Sequence, residues 1–222
     1  MLRCRPSKAD VSGQPRPPDW GECHRAQARS SIARVSPRAV EIERKFRLRA
    51  APDDGVLAAH AAVAKRIEQV YLRRETRPAE AETPLIARIR RTELPDGRVA
   101  YRRTTKRRIG AFSFDENEDE IDVAAWTAGL ALADPARSPI RKTRHVVAHG
   151  AQTLEIDVFE TPPGLVVCEV ELGSEDEPVT LPAWLGEWRE VTGAPRFLNA
   201  ALARRGSEVP AFDTEAEAPP FG

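Results

Sequence analysis

Charged residues recur at every second position along many short segments of this chain, and that pattern constrains the fold more than any other feature. In Glu41-Ile42-Glu43-Arg44-Lys45-Phe46, an extended strand puts Glu41, Glu43 and Lys45 on one face and Ile42 and Phe46 on the other. The same alternation groups Arg88 with Arg90 opposite Ile89, Lys106 with Arg102 and Thr104, and Lys142 with Arg144. It groups Glu155 with Asp157 opposite Leu154, Ile156 and Val158, and Glu169 with Glu171 opposite Cys168, Val170 and Leu172. A strand normally turns its apolar face to a core and a mixed polar face to water. Alone, any one of these stripes suits a solvated face. Together they carry mostly one sign each, and like charges side by side destabilise a sheet surface. Turning the charged faces inward around a polar ligand removes that conflict.

The alternation marks strands over Val40–Arg49, Ile67–Glu75, Leu85–Glu93, Arg98–Lys106, Ala111–Ile121, Ile140–His149, Gln152–Glu160 and Leu165–Leu172. Pro95-Asp96-Gly97 and Gly150 supply hairpin turns. Helices are expected at Asp53–Arg66, capped by Asp53 or Asp54, and at Val123–Leu132, Ala183–Val191 and Arg196–Arg205. About eight strands with few helices make a mostly antiparallel sheet, and so many short strands suggest a barrel or a curled sheet, so the expected fold class is α+β, mainly β. Trp126, Trp184 and Trp188 are expected to pack helices on that barrel.

Lys+Arg and Asp+Glu both number 34 in 222 residues, so bulk positive charge for nucleic acid is not expected. The charge is unevenly spread. Residues 1–38 hold eight basic and three acidic residues without apolar periodicity, and are expected to be disordered or loosely attached. They lack the apolar run of a secretion signal. The body spans 39–205, and the acidic, Pro-rich tail 206–222 is expected to be disordered. No further domain and no membrane span are expected, and the cytoplasm is the expected location. Three cysteines without a C-x-x-C give neither a disulfide framework nor a zinc site. Cys168, within an apolar strand, is expected to be a packing residue. A homodimer is compatible with the sequence and not specified by it.

The charged stripes suggest a chemistry. Basic pairs, Arg88/Arg90 and Lys142/Arg144 with Lys106, would hold a highly charged anion, and arginine suits phosphate because its guanidinium binds two oxygens. Acidic pairs, Glu41/Glu43 and Glu169/Glu171, would hold Mg²⁺ or Mn²⁺, which favour carboxylate and phosphate oxygens. An eight-stranded barrel has room inside for one small ligand.

The ordered series of motifs resembles the CYTH superfamily, the triphosphate tunnel metalloenzymes, and most of all its short bacterial inorganic triphosphatases. The residues that carry the resemblance are Glu41-x-Glu43-x-Lys45, Gln69-Val70-Tyr71-Leu72, Arg88-Ile89-Arg90, Thr104-Thr105-Lys106 and Glu116 to Ile121. Lys142-Thr143-Arg144, Leu154 to Phe159, Cys168 to Leu172 and Asn199-Ala200-Ala201-Leu202-Ala203 complete it. The resemblance implies an eight-stranded antiparallel closed β-barrel with flanking helices and metal-dependent attack on a small triphosphate, with Tyr71 and Lys45 paired in acid–base catalysis. It implies Glu41, Glu43, Glu169 and Glu171 as metal ligands or their neighbours, and Arg88, Arg90, Lys106, Lys142 and Arg144 as phosphate clamps. Glu118, Glu120, Glu155 and Asp157 would serve as further metal or water-positioning groups. Tyr71 and Lys45 have reference pKa values near 10, so activity is expected to rise toward alkaline pH. His145 stands where members often carry tyrosine, and Val70 where a glycine often precedes the catalytic tyrosine.

Two other readings share the tunnel. Attack by the ribose 3′-hydroxyl of ATP would make it a class IV-type adenylate cyclase, and thiamine triphosphate is a further hydrolysable substrate. A non-catalytic module binding polyphosphate or nucleotide would keep the basic clamp and lose the carboxylates, whereas both glutamate pairs are present.

Overall fold

Alternating apolar residues need a partner on one side only, and the chain supplies it by wrapping a sheet into a barrel. The computed structural model describes residues 39–73, 86–110, 113–209 and 211–214. All lie in the compact unit Arg34–Gly222, and the unit Met1–Ala33 lies outside the described residues. The strands are β1 (Ala39–Leu48), β2 (Val63–Tyr71), β3 (Ile86–Glu93), β4 (Val99–Arg108), β5 (Ser113–Ile121), β6 (Ile140–His149), β7 (Gln152–Thr161), β8 (Val166–Leu172) and β9 (Trp188–Glu190). Every pairing is antiparallel. The order β5-β4-β3-β2-β6-β7-β8-β1 closes on itself where Ala39–Ile42 meets Ser113–Glu116, giving an eight-stranded barrel. The short β9 adds to β1 through Phe46–Leu48.

The outward faces of the strands are apolar where something covers them. Phe46, Leu48, Leu154, Ile156, Cys168 and Val170 form one cluster with Leu57 of α1 (Asp54–Ala59) and with Leu185. Val70 and Ile89 form another with Trp126 of α2 (Val123–Leu130), which stands 5.6 Å from Tyr101, ring centre to ring centre. The inward faces change character along the barrel. At one end Tyr71, Ile140, Phe159 and Val167 pack with Phe197, Leu202 and Ala203, so the interior there is apolar. Toward the other end, the same inward parity brings Gln69, Lys142, Asp157 and Glu169. The charged interior therefore rests on an apolar floor. Leu202 belongs to α3 (Asn199–Leu202), whose first residue reaches the charged cavity.

Several expected boundaries are corrected. The helix expected over Asp53–Arg66 ends at Ala59, and Val63–Arg66 are strand. Ala61 takes φ 52°, a left-handed turn that stops the helix without a glycine to announce it. The helix expected over Ala183–Val191 is a single 3₁₀ turn, Ala183–Leu185, followed by β9. Gly186 at φ 74° separates the two. The helix expected over Arg196–Arg205 is a 3₁₀ turn, Pro195–Phe197, and the short α3. Trp126 packs a helix on the barrel, as expected. Trp184 stacks on His60 at 4.7 Å, and Trp188 sits on a strand, half exposed, edge-on to Phe46 at 5.4 Å. Within the expected tail, Phe212–Thr214 form a 3₁₀ turn whose buried Phe212 lies 4.5 Å from the Arg49 guanidinium. The expectations for residues 1–38, 74–75, 85, 111–112, 210 and 215–222 lie outside the described residues. Among the described residues no helix is long and apolar enough to cross a membrane.

Candidate active site

Alternation on eight strands delivers the charged side chains to one cavity of about 310 Å³. Its described lining has seven cations, Lys45, Arg88, Arg90, Arg102, Lys106, Lys142 and Arg144. It has seven carboxylates, Glu41, Glu43, Glu116, Glu118, Glu155, Glu169 and Glu171. Gln69 and Asn199 add amides, and Ile67 is the one apolar side chain among them. The charges of the lining cancel.

They cancel unevenly. On the β6–β7–β8–β1 side, ions are locked together. The guanidinium of Arg144 grips Asp157 with two bonds of 2.7 Å, donates to Glu169 at 2.6 Å and reaches Glu155. Lys142 also donates to Asp157, and Lys45 to Glu169, with Glu43 3.1 Å from its ammonium. Burial works against the charge on Arg144, but Asp157 and Glu169 outweigh it and raise its pKa. Lys142 shares Asp157 with Arg144 yet is pushed down, by burial first and by the Arg144 charge second. The two-bond fork takes most of the Asp157 charge, so Lys142 is the more weakly held cation. Burial alone would lower Lys45, but Glu169 and Glu43 hold it above the usual lysine range. Glu169, despite burial, is held well below the usual carboxylate range by Lys45, Arg144 and Lys142.

On the β3–β4–β5 side the arginines are less fully paired. Arg90 donates to Glu118 at 2.7 Å, and Arg102 also reaches Glu118. Burial would raise Glu118, but Arg90 and Arg102 bring it below its usual value. Arg88 comes no nearer to Glu116 than 3.8 Å, and Nε of both Arg88 and Arg90 is buried without a hydrogen-bond partner. Both guanidiniums line the cavity, where their charge faces a ligand.

The remaining carboxylates form the acidic part of the wall. Glu43 stands opposite Glu171 across β1 and β8. Lys106 bridges Glu41 and stands 3.3 Å from Glu116 and 3.8 Å from Glu43. Glu171 is pushed up by burial and then by Glu41, Glu155 and Glu43, which leaves a local excess of negative charge. Hard carboxylate oxygens in excess fit Mg²⁺ or Mn²⁺ in donor type and charge. Among the described residues no three acidic or His/Cys side chains are already gathered at metal-binding distance. Glu169 is engaged by Lys45 and Arg144, Glu43 stands near Lys45 and Lys106, and Glu41 pairs with Lys106, so a metal held by Glu41, Glu43 and Glu171 would displace cations from the first two.

Three residues expected at the site lie off the wall. Tyr71 is 4% exposed, at the apolar end, and its hydroxyl accepts a 2.7 Å bond from Gln69 Nε2. Burial pushes its pKa up, and the nearby charges of Arg88, Arg137 and Lys45 offset this in part. Asp157 is fully buried behind Lys142 and Arg144. Glu120 lies at the exposed end of β5, outside the cavity. Four polar wall residues were absent from the expected set, Gln69, Arg102, Glu116 and Asn199, as was the apolar Ile67. Inward parity with Tyr71, Lys106 and Glu118 points to the first three, whereas no strand periodicity points to Asn199.

Comparison with known proteins fits this geometry. No family model matches the chain. It is 41% identical over 89 residues to an inorganic triphosphatase of Acetivibrio thermocellus, covering 39% of this chain and 56% of that protein. The chain thus matches about half the length of that curated relative. It is 31% identical to the solved inorganic triphosphatase NE1496, covering 73% of this chain and 93% of that one, with a TM-score of 0.47. A protein of Pyrococcus horikoshii OT3, PH1819, matches at 21% identity over 61% of this chain and 80% of its own, with a TM-score of 0.44. Superpositions at those scores carry no argument. The closed barrel and its charged cavity fit the resemblance of the sequence motifs to the CYTH superfamily of triphosphate tunnel proteins.

Proposed function

We propose that this chain is a divalent-metal-dependent triphosphatase that cleaves a phosphoanhydride bond of inorganic triphosphate. The observation that carries this is the cavity lining: fourteen ionised side chains of balanced charge around a single apolar one. A polyanion entering a neutral cavity brings excess negative charge, and a divalent cation on the acidic wall offsets it. The names of the relatives in Acetivibrio thermocellus and of NE1496 support the same substrate.

Phosphoryl transfer needs positioning and charge neutralisation more than covalent chemistry. Arg88, Arg90 and Arg102, which line the cavity, would bind the non-bridging oxygens, and Lys142 and Lys106 would add positive charge. Glu41, Glu43 and Glu171 would hold Mg²⁺ or Mn²⁺, which when bound supplies Lewis acidity and lowers the pKa of bound water. Lys45, held protonated by Glu169 and Glu43, would stabilise charge on the phosphates rather than take a proton. Tyr71, behind Gln69 and Arg88, would orient both.

Among the described wall residues Ile67 is the one apolar side chain on which a nucleobase or thiazolium ring could rest. The test is product analysis with inorganic triphosphate, ATP and thiamine triphosphate in Mg²⁺ or Mn²⁺. Pyrophosphate and orthophosphate from inorganic triphosphate, well ahead of the other two substrates, is the expected result. Cyclic AMP from ATP would make the protein a cyclase, and tight binding without turnover would make it a binding module.

A further inference from the structure

Arg137, outside the cavity wall, joins three parts of the site. It lies in the connection between α2 and β6. Its guanidinium carbon is 5.3 Å from the centre of the Tyr71 ring. Its Nη1 donates to the carbonyl oxygen of Ala200, the neighbour of the wall residue Asn199, and its Nε donates to Asp134 at 3.2 Å. Backbone bonds fasten the same connection on both sides. The amide of Asp134 donates to the carbonyl of Tyr71 at 2.9 Å, and the amide of Ser138 donates to the carbonyl of Ala203 at 2.7 Å. Arg205 N–H closes the set by donating to Ala136 at 3.0 Å.

The Tyr71 ring sits among apolar neighbours. A cation over a ring face favours one orientation of that face. The hydroxyl then meets Gln69 and Arg88, both of which line the cavity. The fork of Arg137 reaches from that ring to the backbone of α3. We propose that Arg137 is a positioning residue that holds the Tyr71 hydroxyl against Gln69 and Arg88 and keeps Asn199 in the cavity wall. Its kinetic consequence rests on the triphosphatase reading above; its effect on Tyr71 does not.

Arg88 from β3, Lys45 from β1 and Arg137 are the charges that act on the Tyr71 phenol. The chain has two tyrosines, so a Tyr101→Phe background leaves the ultraviolet phenolate signal to Tyr71 alone. In that background Arg137→Gln is expected to move the Tyr71 ionisation midpoint upward, and Arg137→Lys, which keeps the charge, to move it less. The second arm is a double-mutant cycle on phosphate release from inorganic triphosphate. Arg137→Gln is expected to lower kcat roughly tenfold or more, the scale of a slight misplacement at a reacting centre. In a Tyr71→Phe background, which keeps the ring and loses the hydroxyl, the same change is expected to have little further effect. An unmoved midpoint, or equal kcat losses in both backgrounds, would overturn the proposal. Where Arg137→Gln does not fold, Arg137→Lys is read in both arms, with an unmoved kcat counting against the proposal. If the wild type turns over no triphosphate, the function proposed above fails, and the titration still decides the role of Arg137.

Discussion

Asp157 shows how strongly a single residue can be fixed by charge. It is fully buried, and both Lys142 and Arg144 are bonded to it. Removing one partner of a buried ion cluster leaves the others uncompensated, at a cost of about 3–5 kcal/mol. Asp157→Asn keeps the shape and removes the charge, and urea unfolding should show a loss at about the low end of that range. An unchanged midpoint would mean that Glu155 and Glu169 satisfy both cations without it. Strand parity placed Asp157 on the inward face from sequence, yet parity carries no depth along the barrel. For that reason Asp157 and Tyr71 lie off the wall, and Glu120 falls at an exposed strand end.

Single elements were legible where a local signal exists. The strand from Ile140 to His149 has its expected limits, and Gly97 at φ 81° makes the expected hairpin turn. The helix after Asp53 was overrun because an alanine-rich run continues past Ala59 and the turn is made by Ala61 rather than glycine. Trp184 and Trp188 share a helical spacing that Gly186 interrupts. At α2 the N-cap was not singled out in advance: the Asp122 carboxylate accepts a 2.7 Å bond from Ala125 N–H. Asp122→Ala should lower stability by about 1 kcal/mol, read as a drop in melting temperature. No change would show that packing of Trp126 on Ile89 and Tyr101 holds α2 without its cap.

At the scale of the whole molecule, the resemblance carried by nine short motifs gave the barrel, and the barrel gathers most of the expected site residues into one cavity. Asn199 escaped the expected set because the closing segment is irregular and has no period to follow. The buried ion network also sets the response to acid. Glu169 and Glu118 have folded-state pKa values below the ordinary glutamate value of 4.5, so the folded state binds fewer protons there than the unfolded chain. Their stabilisation is present above that value and is lost as pH falls through the depressed folded values. Glu171, raised by its neighbours, works in the opposite sense and favours folding at lower pH, with that advantage lost as pH rises through its folded value. Two carboxylates against one, and Glu169 the most strongly shifted, predict a net loss of stability below about pH 4.5 in pH-dependent urea unfolding. A flat profile there would show that the ion network contributes no pH-dependent stability.

The central claim is that the charged cavity binds a triphosphate with a divalent cation and cleaves it. Its most direct test is phosphate release from inorganic triphosphate by the wild type, Lys45→Ala and Glu43→Gln, with Mg²⁺ or Mn²⁺ and with a chelator. Metal-dependent release by the wild type, lost with chelator and reduced at least a hundredfold in both folded variants, is the predicted result. Release that persists in the chelator, or in both variants, would contradict it.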